Sequence, residues 1–318
     1  MLPDANRATV VVVIDDWDRQ CSRSEAMREL SRSVELVIHE DHVEGEDLQR
    51  RLEQAEVVVP FRERSRLDGA LLARLPHLRL IAQTGKGIAH IDTDAASRLK
   101  IEISTTPGAS STAVAELALG LLLAVSHRIA EGDRMLHGAG WRGLLGREIY
   151  GRTLGILGFG KIGKELAPRA TACGMEVLAW SRGRQPNDVE PNVRFVGGLD
   201  ELLSASDCLT VHLPLSAETE GLLKIDQLNR LPQGALLINT ARAQIIDEDA
   251  LIETLTSGRL AGAGLDVHWT EPLPRDSIWR RLPRVVLTPH VGWTTEETQQ
   301  KFLVDVSNNI GRYLSMRG

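Results

Sequence analysis

The stretch Thr153–Gly163, TLGILGFGKIG, decides the fold. Its first five residues form a short, mostly apolar run, as expected of a strand covered on both faces. Gly158, Gly160 and Gly163 follow at the spacing G-x-G-x-x-G, and a helix is predicted to begin near Lys161. Each glycine has its own physical task in such a turn. Gly158 lets the chain reverse tightly, Gly160 lets the backbone approach a pyrophosphate, and Gly163 lets the helix sit close on the strand. The helix start adds unpaired N–H groups and the positive end of a dipole. Gly158, Phe159, Gly160, Lys161, Ile162 and Gly163 are therefore read as a dinucleotide-binding turn.

The next predicted strand, Glu176–Trp180, runs into Ser181-Arg182-Gly183-Arg184. An NAD-specific site places a carboxylate near this point, which accepts the ribose 2′-OH and repels a 2′-phosphate. Ser181 removes that repulsion, and Arg182 and Arg184 bring two guanidinium groups able to pair with a phosphate. The expected cofactor is NADP(H), with NAD(H) as the alternative.

Working outward from the turn, short β-branched runs alternate with amphipathic stretches, the pattern of parallel α/β sheets. On the N-terminal side, strands are predicted at Thr9–Ile14, Val34–Ile38, Val57–Pro60, Leu78–Gln83 and Ile101–Ser104, with helices at Ser24–Arg32 and Asp47–Gln54. An apolar helix from about Ser111 to Val125 reads as buried, because no polar face interrupts it. On the C-terminal side, strands are predicted at Cys208–His212, Ala235–Asn239, Ala261–Asp266 and Val285–Thr288, before a final helix at Glu296–Leu314. A chain of 318 residues exceeds what one core usually holds, so two doubly wound α/β domains are expected. A flavodoxin-like substrate domain takes residues 1–104 plus 291–318, and a Rossmann nucleotide-binding domain takes 105–290.

Composition narrows the function. A net charge of −6 offers no electrostatic basis for binding nucleic acid or an anionic membrane. No apolar run approaches the ~18 residues that cross a bilayer. The N-terminal MLPDANRATVVVVIDD has an early acidic residue and only a short apolar run, so a cleaved leader is not expected. Cys21, Cys173 and Cys208 show neither a disulfide framework nor zinc-ligand spacing. A cytoplasmic location without a metal centre is the resulting expectation.

Three further segments carry polar residues at predicted strand ends: INTARAQIID (238–247), AGAGLDVHWTEPLP (261–274) and VVLTPHVGW (285–293). Together with TGKGIAHID (84–92), in this order and over nearly the whole chain, they resemble the D-isomer-specific 2-hydroxyacid dehydrogenases. The resemblance implies a catalytic set of Arg242, Glu271 and His290. Reduction of a 2-oxo acid needs a hydride at C2 and a proton on the carbonyl oxygen. His290 would supply that proton and Glu271 would brace its ring. Arg242 would hold the substrate carboxylate and polarise the carbonyl. The resemblance also assigns Asp266, Thr240, Ala241, His212 and Pro214 to the cofactor side, where Arg242 and His290 also belong. It makes Gly85–Ile88 a substrate loop in which the N–H groups of Lys86 and Gly87 reach a carboxylate. Arg62, in PFRERSR, lies where family members often carry a residue facing the substrate.

The sequence departs from the family pattern near the same places. Ala243 follows the arginine where glycine is usual, Ala89-His90 replaces Asp-Asn, and Ser110 stands where Asn is frequent. These changes bear on substrate identity. The expected function is reduction of a small 2-oxo acid or oxidation of the 2-hydroxy acid, by a homodimer as family members usually are. The alternatives are 3-phosphoglycerate dehydrogenase and a dinucleotide-sensing protein of the corepressor kind.

Overall fold

A computed structural model describes residues 8–316. Residues 1–7, part of the stretch read for a leader, and the last two residues lie outside it. The chain forms two compact units, one from residues 8–110 with 294–316 and one from 111–293.

The smaller unit holds β1 (Val10–Ile14), β2 (Glu35–Ile38), β3 (Val57–Pro60), β4 (Leu80–Ala82) and β5 (Glu102–Ser104). They form a parallel sheet in the order β2-β1-β3-β4-β5, the flavodoxin-like arrangement. Valines dominate β1 and β3, and both strands are fully buried, as sheet strands covered on both faces must be. The terminal helix Glu296–Ser315 covers one face, placing Leu303, Val306 and Ile310 against Val11, Val13, Val57 and Val59.

The larger unit holds β6 (Thr153–Leu157), β7 (Glu176–Trp180), β8 (Val193–Phe195), β9 (Cys208–Val211), β10 (Ala235–Asn239), β11 (Leu260–Leu265) and β12 (Val285–Leu287). Their order is β12-β11-β10-β9-β6-β7-β8, again all parallel. This is the doubly wound nucleotide-binding order with one strand added, and the chain reverses its direction of travel between β6 and β9. The helix Ser111–Ser126 is buried along Ala115, Ala118, Leu122 and Val125 in the core of this unit. No single helix among the described residues is long and apolar enough to cross a membrane.

The unit boundaries fall a few residues from those drawn on sequence, and hydrogen bonds give the reason. Thr106 is tied to Gly85 in both directions, its Oγ1 accepting from the Gly85 N–H and its own N–H donating to the Gly85 carbonyl. The chain past residue 104 therefore stays with the smaller sheet. At the other junction the N–H groups of Val291 and Gly292 donate to Asp266, which keeps them with the larger one.

Candidate active site

Parallel strands deliver their C-terminal ends to one edge of a sheet, and a switch in strand order opens a crevice there. In the larger unit that edge collects the residues following β6, β9, β10, β11 and β12. Gly158 follows β6 with φ +101°, a conformation that favours glycine. A Cβ built on it would come within 2.8 Å of the peptide joining His212 and Leu213. By contrast, nothing lies within 4 Å of a Cβ built on Gly160, so the space before the helix Lys161–Ala172 is open. Gly160 caps that helix with no side chain to satisfy its first N–H groups. Gly163 packs closely, with Phe159 3.1 Å from a Cβ built there. The turn fits a pyrophosphate: a tight reversal and an open approach to a helix start.

The neighbouring polar groups are held in place by the fold. His212 Nε2 lies 2.9 Å from Thr210 Oγ1, and burial presses its imidazole down to about 4, so it stays neutral. Pro214 is exposed at the end of the same loop, its carbonyl accepting from Thr219. After β10, buried Asn239 closes a turn by accepting from the Ala241 N–H and donating to the Arg242 carbonyl. Thr240 and Ala241 are buried within that turn, and Arg242 projects from it as an exposed residue. The Thr240 hydroxyl is buried and makes no hydrogen bond among the described residues.

Beyond β7, Ser181 is partly buried and Arg182 exposed. Arg182 lies 3.8 Å from Glu218. Arg184 is more committed, 3.4 Å from Asp188, 3.8 Å from Glu190 and 5.3 Å above the Phe195 ring.

His290 and Glu271 meet directly, with His290 Nδ1 2.9 Å from Glu271 Oε2. The other carboxylate oxygen accepts from the His268 N–H at 2.9 Å. Burial pushes Glu271 upward, yet the hydrogen bonds from the His290 ring and the His268 N–H outweigh it. The net position is below the usual carboxylate range. The Glu271 loop is anchored by Trp269, which stacks on Trp279 with ring centroids 5.0 Å apart and donates to the Ile246 carbonyl. A cavity of about 620 Å³ opens beside the pair, lined by His268, Glu271, Pro272, Leu273, Thr288 and His290.

His290 adopts φ +56°, a left-handed conformation that costs a non-glycine residue about 1–2 kcal/mol. Asp266 holds it there. This 1% exposed carboxylate accepts from Thr288 Oγ1 at 2.6 Å, the Val291 N–H at 2.8 Å and the Gly292 N–H at 2.9 Å. The loop on both sides of His290 is thus pinned to the end of β11. Asn239, Leu265 and Leu287 stand in register on β10, β11 and β12. Arg242 and His290 therefore leave the same sheet edge two strands apart, a separation of roughly 10 Å at the strand ends.

In the smaller unit, Lys86 is exposed in the glycine loop and Gly87 partly buried. Arg62 follows β3 with φ +68°, its N–H donating to Thr84 Oγ1 at 2.7 Å. Its guanidinium reaches the same loop, within 1.7 Å of a Cβ built on Gly85.

A family profile described as "D-isomer specific 2-hydroxyacid dehydrogenase, NAD binding domain" matches residues 119–292. The chain belongs to this dehydrogenase family. It is 36% identical over 297 residues to the hydroxypyruvate reductase of Thermotoga maritima, covering 92% of this chain and 95% of that one. It is 37% identical over 254 residues to the glyoxylate reductase of Thermococcus litoralis, covering 77% and 76%. Among solved structures, a glyoxylate reductase from Paecilomyes thermophila superposes with a TM-score of 0.79 at 31% identity, covering 96% of this chain and 94% of that one.

The dehydrogenase is thus a nicotinamide-dependent oxidoreductase acting on the CH–OH group of hydroxy acids. Sequence reading named His290 and Glu271, which the structure brings into contact, but missed three supports: Asn239, the backbone of His268, and the bracing carried by Asp266. The motif strings contain all three residues. Only burial and hydrogen bonding reveal what they hold.

Proposed function

We propose that this dehydrogenase interconverts small 2-oxo acids and D-2-hydroxy acids, with His290 as proton donor and acceptor. The observation that carries the reading is the 2.9 Å approach of His290 Nδ1 to Glu271. With Nδ1 committed to the carboxylate, Nε2 is the nitrogen that exchanges a proton with the substrate oxygen. Glu271 fixes the orientation of the ring and balances its charge. Arg242 holds the substrate carboxylate and polarises the carbonyl through its planar fork of donors. The N–H groups of Lys86 and Gly87 bind carboxylate as a backbone nest, with Arg62 on the neighbouring glycine. When bound, the nicotinamide cofactor supplies or accepts the hydride at substrate C2. Gly158–Gly163 would hold its pyrophosphate, and Thr240, Ala241, His212, Pro214 and Asp266 would line its nicotinamide side.

NADP(H) is favoured over NAD(H). Ser181 presents no charge to repel a 2′-phosphate, and Arg182 is exposed beside it. Arg184 contributes less than the sequence suggested, because Asp188 and Glu190 already engage it. The enzyme is proposed to be cytoplasmic and to work as a homodimer. Trp141 and Leu145 of the larger unit are 91% and 90% exposed, which supports burial against a second copy.

The test is oxidation of NADPH and NADH, followed by absorbance, with glyoxylate, hydroxypyruvate and related 2-oxo acids. Turnover that prefers NADPH is expected. Turnover that strongly prefers NADH overturns the cofactor assignment. Tight dinucleotide binding without turnover of any acid overturns the enzymatic reading in favour of a sensor.

A further inference from the structure

An arginine closes the loop that carries Glu271. Between β11 and β12 the chain passes through Glu271 to a short 3-10 turn, Ile278–Arg280, whose Trp279 is buried. Trp279 fixes that turn from two sides, stacking on Trp269 and donating through Nε1 to Glu248 Oε1 at 2.8 Å. From this fixed base Arg280 reaches back along the loop. Its Nη2 donates to the Leu273 carbonyl at 2.8 Å and its Nε to the Pro274 carbonyl at 2.9 Å. Among the described residues Arg280 pairs with no carboxylate, so its guanidinium is committed to backbone. The same side chain lines the cavity of about 620 Å³ beside Glu271 and His290.

We propose that Arg280 is a positioning residue for the reaction: its grip on the Leu273 and Pro274 carbonyls keeps the Glu271 carboxylate on His290 Nδ1. The proposal rests on the reading of His290 and Glu271 as the acid–base pair. Leu273 lies two residues past Glu271, a span of at most ~7 Å. Pro272 and Pro274 flank it, and proline locks its own φ, so the segment is stiff. Movement at the gripped carbonyls therefore reaches the carboxylate almost undiminished. The 2.9 Å contact between Glu271 and His290 does not survive a displacement on the order of 1 Å, an error that can cost up to about 10²-fold in rate. The grip depends on guanidinium chemistry. A planar fork meets two carbonyls at once, whereas a lysine ammonium is a point charge on a flexible stem. Lysine at this position keeps the positive charge beside the cavity and loses the paired grip, which separates position from charge.

The experiment measures kcat for glyoxylate and hydroxypyruvate, dinucleotide affinity and Tm in the wild type, Arg280→Lys, Glu271→Gln and the double variant. In Arg280→Lys, kcat is expected to fall by about tenfold while dinucleotide affinity stays within about twofold. Its Tm should stay within about 4 °C of the wild type, since Arg280 is an exposed residue. With Glu271 already replaced, the lysine should change kcat by less than about twofold, because no carboxylate remains to be placed. A pH profile adds a second readout. Burial pushes Glu271 upward, and hydrogen bonds from the His290 ring and the His268 N–H hold it below the usual range. Loosening the first bond lets Glu271 take up a proton sooner, so the acid limb of kcat should move to higher pH in Arg280→Lys. A loss of kcat under about threefold in Arg280→Lys overturns the proposal, as does a loss that recurs undiminished in the Glu271→Gln background. Both results leave the enzymatic reading intact. A larger fall in Tm overturns it too, by assigning Arg280 to the fold instead. If Glu271→Gln turns over like the wild type, or the wild type reduces neither acid, the acid–base reading fails and the proposal with it.

Discussion

Asp266 illustrates what one buried side chain does for a site it was expected only to line. Its two oxygens receive three donors from the loop carrying His290. Asp266→Asn turns one acceptor into a donor and leaves at least one partner unmatched inside the protein. A loss of about 1–3 kcal/mol is expected, with a lower Tm and a lower kcat. An unchanged Tm would show that the loop is held by other means. Glu271 gives a pH dependence with a definite sign. Its folded position lies below the ordinary value of 4.5, so its contribution to stability is present above that value. The contribution is lost as pH falls through the folded position. The stability advantage of the wild type over Glu271→Gln should therefore be level at neutral pH and fade in acid, read as denaturant midpoints across pH. An advantage that grew in acid would contradict the assignment. At this scale the sequence was legible where a motif names a residue, as with His290 and Glu271. It was silent where the role depends on who is buried beside whom, as with His268 and Asn239.

The glycine turn is the element on which the proposed cofactor binding rests, and its glycines separate by the space around them. Gly158 has φ +101° and a peptide within 2.8 Å of any added Cβ, whereas Gly160 faces open space. Gly158→Ala is expected to destabilise the fold by about 1–2 kcal/mol or more, since both backbone and packing must shift. Gly160→Ala should leave Tm nearly unchanged and weaken dinucleotide binding, because its methyl fills the approach to the helix N-terminus. Thermal unfolding and nucleotide titration of the two variants check this. Equal Tm losses would remove the distinction. The strand–turn–helix was legible because its apolar run, glycine spacing and helix start agree. β8 was not, since its three residues, Val-Arg-Phe within a polar loop, are too few to establish a period. Strand ends such as Thr288 and Asp266 were drawn a residue too long: their N–H groups still donate to the carbonyls of Leu265 and Asn239 on the neighbouring strands. There the side chains turn to loop bracing instead.

At the scale of the whole molecule, two parallel sheets with different strand orders arise from one alternating pattern, and each presents its loops at its own C-terminal edge. Fold class was readable because covered strands need continuous apolar runs. The positions of the unit boundaries were not, because they depend on the hydrogen bonds at Thr106 and Asp266. Homodimer formation predicts that sedimentation at micromolar concentration gives twice the chain mass and that Trp141→Glu with Leu145→Glu shifts it to monomer. A wild type that stays monomeric would contradict the dimer. The chemistry itself is tested most directly by His290→Ala, assayed beside the wild type for reduction of glyoxylate and hydroxypyruvate and for dinucleotide affinity. Turnover is expected to fall by about 10²–10⁴-fold or more while dinucleotide affinity stays within about threefold. A variant that retains most of the wild-type turnover would contradict the account.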